Sequence, residues 1–245
     1  IAFKRMDFRK GILGSEWIGL ENFKYLFTTP DAFIITRNTV LYNVVFIVLG
    51  LIVQIAFAIF LNEIRPKRIS RLYQNLIILP SLVSMVIVAY LVYAFLSVST
   101  GFLNKSLFPV LGIEARNWYS ESKYWPFILT LVNVWKSAGF GCIIYLATIV
   151  GINPEYYEAA RLDGASKWQQ IRHITLPMLR PVIITLTILN IGKIFYSDFG
   201  LFYQVPMDSG QLYDVTNTID TYVYRALIKL GDIGMSSAAS CYQSI

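Results

Sequence analysis

Charge is scarce in this sequence. Asp, Glu, Lys and Arg make up 15% of its 245 residues, against about 25% in a soluble domain. Histidine occurs once, at His173, which excludes His-rich metal centres and leaves little room for His-based catalysis. Cysteine occurs twice, at Cys142 and Cys241. Both lie in apolar stretches and read as small buried hydrophobes rather than a disulfide or a metal pair. No G-x-x-x-x-G-K-[ST] is present, so the chain does not bind and hydrolyse ATP through a P-loop. H-E-x-x-H, C-x-x-C and nucleophile-elbow patterns are missing too. The basic residues behind the net charge of +6 are dispersed, which argues against a nucleic-acid patch. There is no low-complexity tract and no repeat period of a solenoid.

What is abundant is apolar surface, at 56% of residues. A membrane-crossing helix needs about 20 mostly apolar residues. Four stretches qualify: 37–61, 72–97, 124–150 and 178 to about 199. A fifth begins near Gly234 and is cut off by the chain end. These runs are far too long for barrel strands, and unpaired backbone is not tolerated in lipid, so they predict helices. The fold class expected is an all-α membrane protein, a polytopic helical bundle forming one transmembrane domain over 1–245. The chain opens on Ile1-Ala2-Phe3 and stops at Ile245 inside an apolar run. The expectation is a longer chain with an end helix clipped on each side.

Basic residues set the orientation. The connection from Asn62 to Arg71 carries Arg65, Lys67, Arg68 and Arg71 against Glu63 alone, beside two spans. The positive-inside rule places it in the cytoplasm. The loop 98–123 is then external, the insert 151–177 cytoplasmic, and 200–232 external. That last loop holds Asp208, Asp214, Asp220 and Asp232 against Arg225 and Lys229, which agrees. Lys4, Arg5, Arg9 and Lys10 also fall outside and run against the rule, but the tight interhelical loop outweighs a tail. Residues 16–30 set Trp17, Leu20, Phe23, Tyr25, Leu26 and Phe27 at near-helical spacing. They predict a short amphipathic helix at the outer interface.

The insert 151–177 is polar between two apolar spans. Asn153 before Pro154 reads as an N-cap with proline at the first helical position. Helix is expected through Leu162, and Gly164 is the left-handed stop. Ser166 with Gln169 predicts a capping box for a second short helix to about His173. Leu176-Pro177 then ends the insert. Ala159 and Ala160 let a partner surface approach closely, while Tyr156, Tyr157 and Leu162 offer apolar anchors. Glu158, Arg161 and Asp163 can make charge-assisted contacts that fix register.

The run Glu158-Ala159-Ala160, three residues, Gly164, nine residues, then Ile174-x-Leu176-Pro177 resembles the cytoplasmic EAA signature of binding-protein-dependent, type I ABC importer permeases. Ile78-Leu79-Pro80 resembles the Leu-Pro of the maltose-type carbohydrate branch. The stretch Gly14-Ser15-Glu16-Trp17-Ile18-Gly19-Leu20-Glu21-Asn22-Phe23 is similar to the polysaccharide/aldouronate subgroup. The resemblance implies a permease subunit, not an enzyme, of the bacterial cytoplasmic (inner) membrane. It further implies a second homologous permease, two ABC ATPase subunits, an external solute-binding protein and surrounding lipid as partners. ATP and Mg would sit on the ATPases, with no cofactor on this chain and no nucleic acid. The implied coupling residues are Tyr157, Glu158, Ala159, Ala160, Asp163, Gly164, Ile174, Leu176 and Pro177. The implied solute is an oligosaccharide; the alternative is a same-fold importer of an amino acid or phosphate.

Polar groups inside spans are candidates for the solute path. A mid-bilayer lysine costs about 2.5–3.5 kcal/mol on insertion scales, so it faces protein or water. By resemblance the path runs along Lys136, Ser137, Phe140, Gly192, Lys193 and Tyr196, with Ser81 and Met85 from the second span. Trp135 and the run 195–198 fall where the branch varies its sugar contacts. Aromatic faces suit pyranose C–H faces, and two lysines suit an acidic sugar. The structural alternatives are that Lys193 pairs with Asp198 or with the partner permease, that Lys136 snorkels, and that Asn190 bonds between helices; Asn43 and Gln54 read as such interhelical glue. The topology is checked by single cysteines. Those at Ser70 and Ser166 should react only with reagents reaching the cytoplasm, and those at Ser122 or Ser209 from outside. Labelling of Ser166 from outside overturns the reading.

Overall fold

Backbone that crosses lipid must pair its own donors and acceptors, and the computed structural model does so with helices. It describes residues 1–64 and 66–244, and of Lys67 only the backbone. Arg65 of the basic loop and the final Ile245 lie outside the described residues. Among those described, Pro30–Glu63, Ser122–Val150 and Lys167–Ile191 are long and apolar enough to cross a membrane. Arg68–Leu82 and Met85–Leu96 make a fourth crossing if taken as one broken span.

The elements used below are β1 (Lys4–Arg5), β2 (Glu16–Trp17), α1 (Glu21–Thr28), α2 (Pro30–Glu63) and α3 (Lys67–Leu82). They continue with α4 (Met85–Leu96), α5 (Trp125–Val150), α6 (Pro154–Leu162), α7 (Lys167–Gln170), α8 (Leu176–Ile191), α9 (Ile219–Tyr224) and α10 (Ile233–Gln243).

Four expectations change. The helix expected over 16–30 starts only at Glu21. Trp17 instead pairs with Lys4 in a two-stranded antiparallel hairpin and stacks on Phe3 at 5.6 Å. The second span is not continuous. Pro80 supplies no N–H to the last turn of α3, Val83 and Ser84 are extended (ψ 133° and 149°), and Ser84 caps α4 by accepting from the Ile87 N–H. The arm expected to end at His173 does not end. A π-helical turn, Ile171–Thr175, carries α7 directly into α8, and Pro177 sits in the first turn after it. At its far end α8 stops at Ile191, so Phe195, Tyr196, Ser197 and Asp198 are not in the span. Their backbone is bonded elsewhere. Asn43 Nδ2 donates to the carbonyls of Ile194 and Tyr196 (2.8 and 2.9 Å), and the Ser197 N–H donates to Asp220 (2.7 Å).

The chain divides into two units. One comprises Val45–Val83 and Leu131–Lys193. Its core is Ala58, Leu61, Cys142, Tyr145, Leu146, Ile149 and Leu179, drawn from α2, α5 and α8. Lipid offers no hydrophobic driving force between helices, so close backbone approach has to hold them. The amide of Gln54 on α2 lies directly over Gly141 on α5, where a side chain would collide with it.

The other unit comprises Ile1–Val44, Ser84–Thr130 and Ile194–Ile245. Leu26 of α1 is fully buried in a cluster with Ala32, Ile35, Ile219, Met235 and Ala239. α1 thus docks on α10, with Phe27 edge-on to Tyr242 at 5.2 Å. Asn38, Thr39 and Tyr42 of α2 bond the backbone at Asp214, Asn217, Ile219 and Val215. The outer loop is therefore a scaffolded structure.

One node organises that loop. Met207 and Asp208 adopt left-handed backbone (φ 55° and 48°), which brings the Asp208 carboxylate onto Arg225 Nε at 2.9 Å, Tyr213 OH at 3.0 Å and Lys229. Burial pushes the Asp208 carboxyl up. The hydrogen bonds from Lys229 and Arg225, with the guanidinium charge, outweigh it and hold the group below the usual carboxylate range. A depressed carboxylate contributes stability that is complete above its unfolded pKa, about 3.9, and is lost as pH falls through the folded value. Hydrogen-exchange protection over 207–229 should therefore hold at neutral pH and fall away below about pH 4. Asp208→Asn should lower it at neutral pH by about 3–5 kcal/mol and flatten the acid dependence. Equal protection in the two proteins at pH 7 overturns this.

Candidate functional site: the charged insert and the polar groups of the spans

Asn153 caps α6, its Oδ1 accepting from the Glu155 N–H at 3.0 Å, with Pro154 at the first helical position. The far end closes in a Schellman turn. Ala165 N–H donates to the Ala160 carbonyl (2.8 Å) and Gly164 N–H to that of Arg161 (3.0 Å), with Gly164 at φ +80°. Ser166 and Gln169 form the expected capping box of α7. Every local signal read in the insert is met except the end of its second arm.

The insert residues sort into two sets. Glu158, Ala159, Asp163 and Gly164 are exposed, and Ala160 is half-buried. Tyr156 and Trp168 stand out at 52% and 67% exposure, and Leu162 at 90%, beyond what an isolated surface helix favours. Tyr157 turns inward instead. Its hydroxyl meets Thr175 Oγ1 at 2.9 Å and ties α6 to the π-helical turn. Ile174, Leu176 and Pro177 are half-buried in the run of helix leading into α8. Lys167 pairs with Glu63 at 2.7 Å, joining the start of α7 to the end of α2. A cleft of about 720 Å³ lies there, lined by Asn62, Glu63, Tyr157, Arg161, Lys167 and Gln170. The sequence reading missed Trp168 and the Glu63–Lys167 pair. An aromatic beside a capping box was the available signal for the first; nothing local signals the second.

The polar positions of the spans divide between the two units, with Met85 and Tyr196 in one and Ser81, Lys136, Ser137, Phe140, Gly192 and Lys193 in the other. Lys136 on α5 points its ammonium at the broken end of α3 and donates to the carbonyls of Pro80 and Ser81 (both 3.4 Å) and, closest, Val83. It does not snorkel. Ser137 is half-buried, while Phe140 and Trp135 are 70% and 43% exposed. Ser81 is half-buried, its hydroxyl donating to the Ile78 carbonyl at 2.7 Å. Met85 opens α4 and packs under Gly200. Gly192 and Lys193 are exposed in the turn after α8. The alternative Lys193–Asp198 pair is not among the ion pairs of the described residues: Asp198 accepts from the Leu201 N–H at 3.1 Å and caps the next turn. Tyr196 is 47% exposed on backbone held by Asn43.

Residues 47–197 match the family model of the binding-protein-dependent transport system inner membrane component. The chain belongs to this family. The permease is 36% identical to the polygalacturonan/rhamnogalacturonan transport system permease protein YteP of Bacillus subtilis (strain 168), over 100% of its own length and 75% of that protein's. Protein LplB of the same organism is 34% identical, with 100% and 76% covered. Among solved structures it superposes with a TM-score of 0.87 and 32% identity on a bacterial ABC transporter involved in import of the acidic polysaccharide alginate, covering 93% of this chain and 79% of that one. A second structure of that transporter, in complex with an alginate pentasaccharide-bound periplasmic protein, matches equally well. The fold is that of a type I ABC importer permease, in the carbohydrate branch, and the EAA pattern and the coupling-helix geometry are those typical of it.

The turn at Gly164 gives a direct test. Open space surrounds it, so a side chain meets no clash, but the left-handed backbone costs a non-glycine residue about 1–2 kcal/mol and more when β-branched. Gly164→Val should reorient α7 and remove most transport while the permease still inserts. Unchanged uptake in that variant overturns the reading.

Proposed function

We propose that this permease is the membrane-spanning subunit of a bacterial inner-membrane importer that takes up an oligosaccharide carrying acidic sugars. The observation that supports the solute class best is its 32–36% identity, over 93–100% of the chain, to proteins named for polygalacturonan and alginate transport. In this reading an external solute-binding protein delivers the sugar. A second homologous permease completes the path, and two ATPase subunits hold ATP and Mg and drive the cycle. Chain 1–245 works as one permease domain and holds no cofactor.

Glu158, Ala159, Ala160, Asp163 and Gly164 present the docking edge to an ATPase. Tyr157, Ile174, Leu176 and Pro177 carry its displacement into α8. The support is mechanical: α7, the π-helical turn and α8 are one uninterrupted helix, so a push on the insert is a push on a span. Ser81, Met85, Ser137, Phe140, Gly192, Lys193 and Tyr196 make up the solute path in this reading. Alternating access then rocks rigid bundles about a midplane site.

The acidic preference is argued from Lys193. It is exposed, and among the described residues no carboxylate lies within ion-pair distance of it. A charge-assisted hydrogen bond contributes about 1.5–3 kcal/mol, so Lys193→Ala should raise the half-saturation concentration for a uronate trisaccharide roughly tenfold or more. A neutral trisaccharide should be affected much less. Tyr196→Ala should weaken both, and neither change should dissociate the complex. Equal losses for acidic and neutral sugars would remove the acidic preference. Binding-protein-dependent uptake of an amino acid or phosphate instead would overturn the sugar reading.

A further inference from the structure

We propose that Lys136 is a positioning residue of the transport cycle, whose ammonium caps the broken carboxyl end of α3 and fixes it on α5. Lys136 then governs turnover by shape, without touching solute. This deepens the reading of the chain as a transport subunit and rests on it.

A helix end leaves its last carbonyls without partners, and inside a membrane no bulk water takes them up. α3 ends in that condition. With Val83 and Ser84 extended, the carbonyls of the last turn have no following helical N–H to accept from. Only Val83 N–H turns back, onto the Pro80 carbonyl at 3.2 Å. The carbonyl end of a helix also carries partial negative charge, which favours a cation there. Lys136 supplies both terms at once: an ammonium has three donors, and three carbonyls, those of Pro80, Ser81 and Val83, face it. An ammonium so engaged has no donor left for a sugar hydroxyl.

The same face of α5 makes a second grip one turn on. At Gly139 the two backbones touch, and a Cβ there would collide with the Ile77 carbonyl and the Ile78 Cα. Residues three apart share a helix face, so Lys136 and Gly139 form one clamp along α3 from Ile77 to Val83. The glycine permits the approach and the lysine compensates the broken end that the approach exposes.

The test uses uptake by the complete transport system, with a uronate trisaccharide as probe, and hydrogen exchange of the purified complex. Lys136→Met keeps the length and removes the charge. It should lower the maximal rate at least tenfold, leave half-saturation within twofold, and speed exchange over 77–87 at least tenfold. Lys136→Arg, which can still donate to carbonyls, should recover at least a third of the rate and restore protection. Gly139→Ala leaves the ammonium in place but pushes α3 away, and should reproduce the rate loss with unchanged half-saturation. A tenfold rise in half-saturation with the rate retained would make Lys136 a solute contact and overturn the proposal. So would unchanged exchange in Lys136→Met. If Lys136→Met does not assemble, wild-type kinetics and exchange in Gly139→Ala overturn it. If the unmodified system takes up no oligosaccharide, the sugar reading fails, while the exchange arms still decide on the cap.

Discussion

A backbone carbonyl in hydrocarbon has to find its donor inside the protein, because unsatisfied polar groups there cost several kcal/mol each. That constraint makes the spans helical, and it also limits where they can stop. α3 stops inside an apolar segment, at Pro80 to Ser84; a lysine from α5 donates to its carbonyls, while Ser84 accepts from the Ile87 N–H and so satisfies a donor at the start of α4. At the outer end of α8 the same debt falls to a side-chain amide, Asn43, which takes two carbonyls past Ile191. Polar residues in the spans thus first serve to let the backbone leave helical geometry.

The insert follows a different logic, that of transmitting force. Its first arm is closed at both ends by short-range bonds, the Asn153 cap and the Schellman turn at Gly164. Its second arm is capped only at the start and then runs into α8 through a π-helical turn. A π turn admits an extra residue per ring, and Pro177, which has no N–H to give, follows directly after it. The Tyr157–Thr175 bond ties the two arms together at that turn. These contacts join the exposed edge of the insert to the span as one hydrogen-bonded unit.

The insert was legible because its determinants are local. Caps, a left-handed glycine and a charge pattern act over four or five residues, and the sequence displays them all. Span existence was legible for the same reason, since apolar length is a property of one segment. The break at Val83 was not, because hydropathy runs unbroken through it; Pro80 and Ser84 were visible, but a proline in a span is tolerated as often as it ends one. The end of α8 at Ile191 was hidden for a physical reason as well. The side chains that hold the backbone past it, Asn43 and Asp220, lie 151 and 23 positions from the residues they bond, Ile194 and Ser197. Lys136 and Lys193 looked alike on the page, two lysines in apolar runs. Only their partners separate them: three carbonyls for one and, among the described residues, no carboxylate for the other.

That separation bears on how a permease can tolerate charge. A lysine bonded to carbonyls is compensated in place, whereas Lys193, exposed and with no carboxylate at ion-pair distance among the described residues, is not. The cost of holding such a group near lipid is a few kcal/mol, which a bound anionic group would offset in part. Its position just past the last turn of α8 also matters. Tyr196, three residues on, stands on backbone fixed by Asn43, and Ser197 on Asp220 and Thr218. The polar bonds that take up the backbone past the end of α8 thus order a non-helical segment that would otherwise leave its carbonyls without donors.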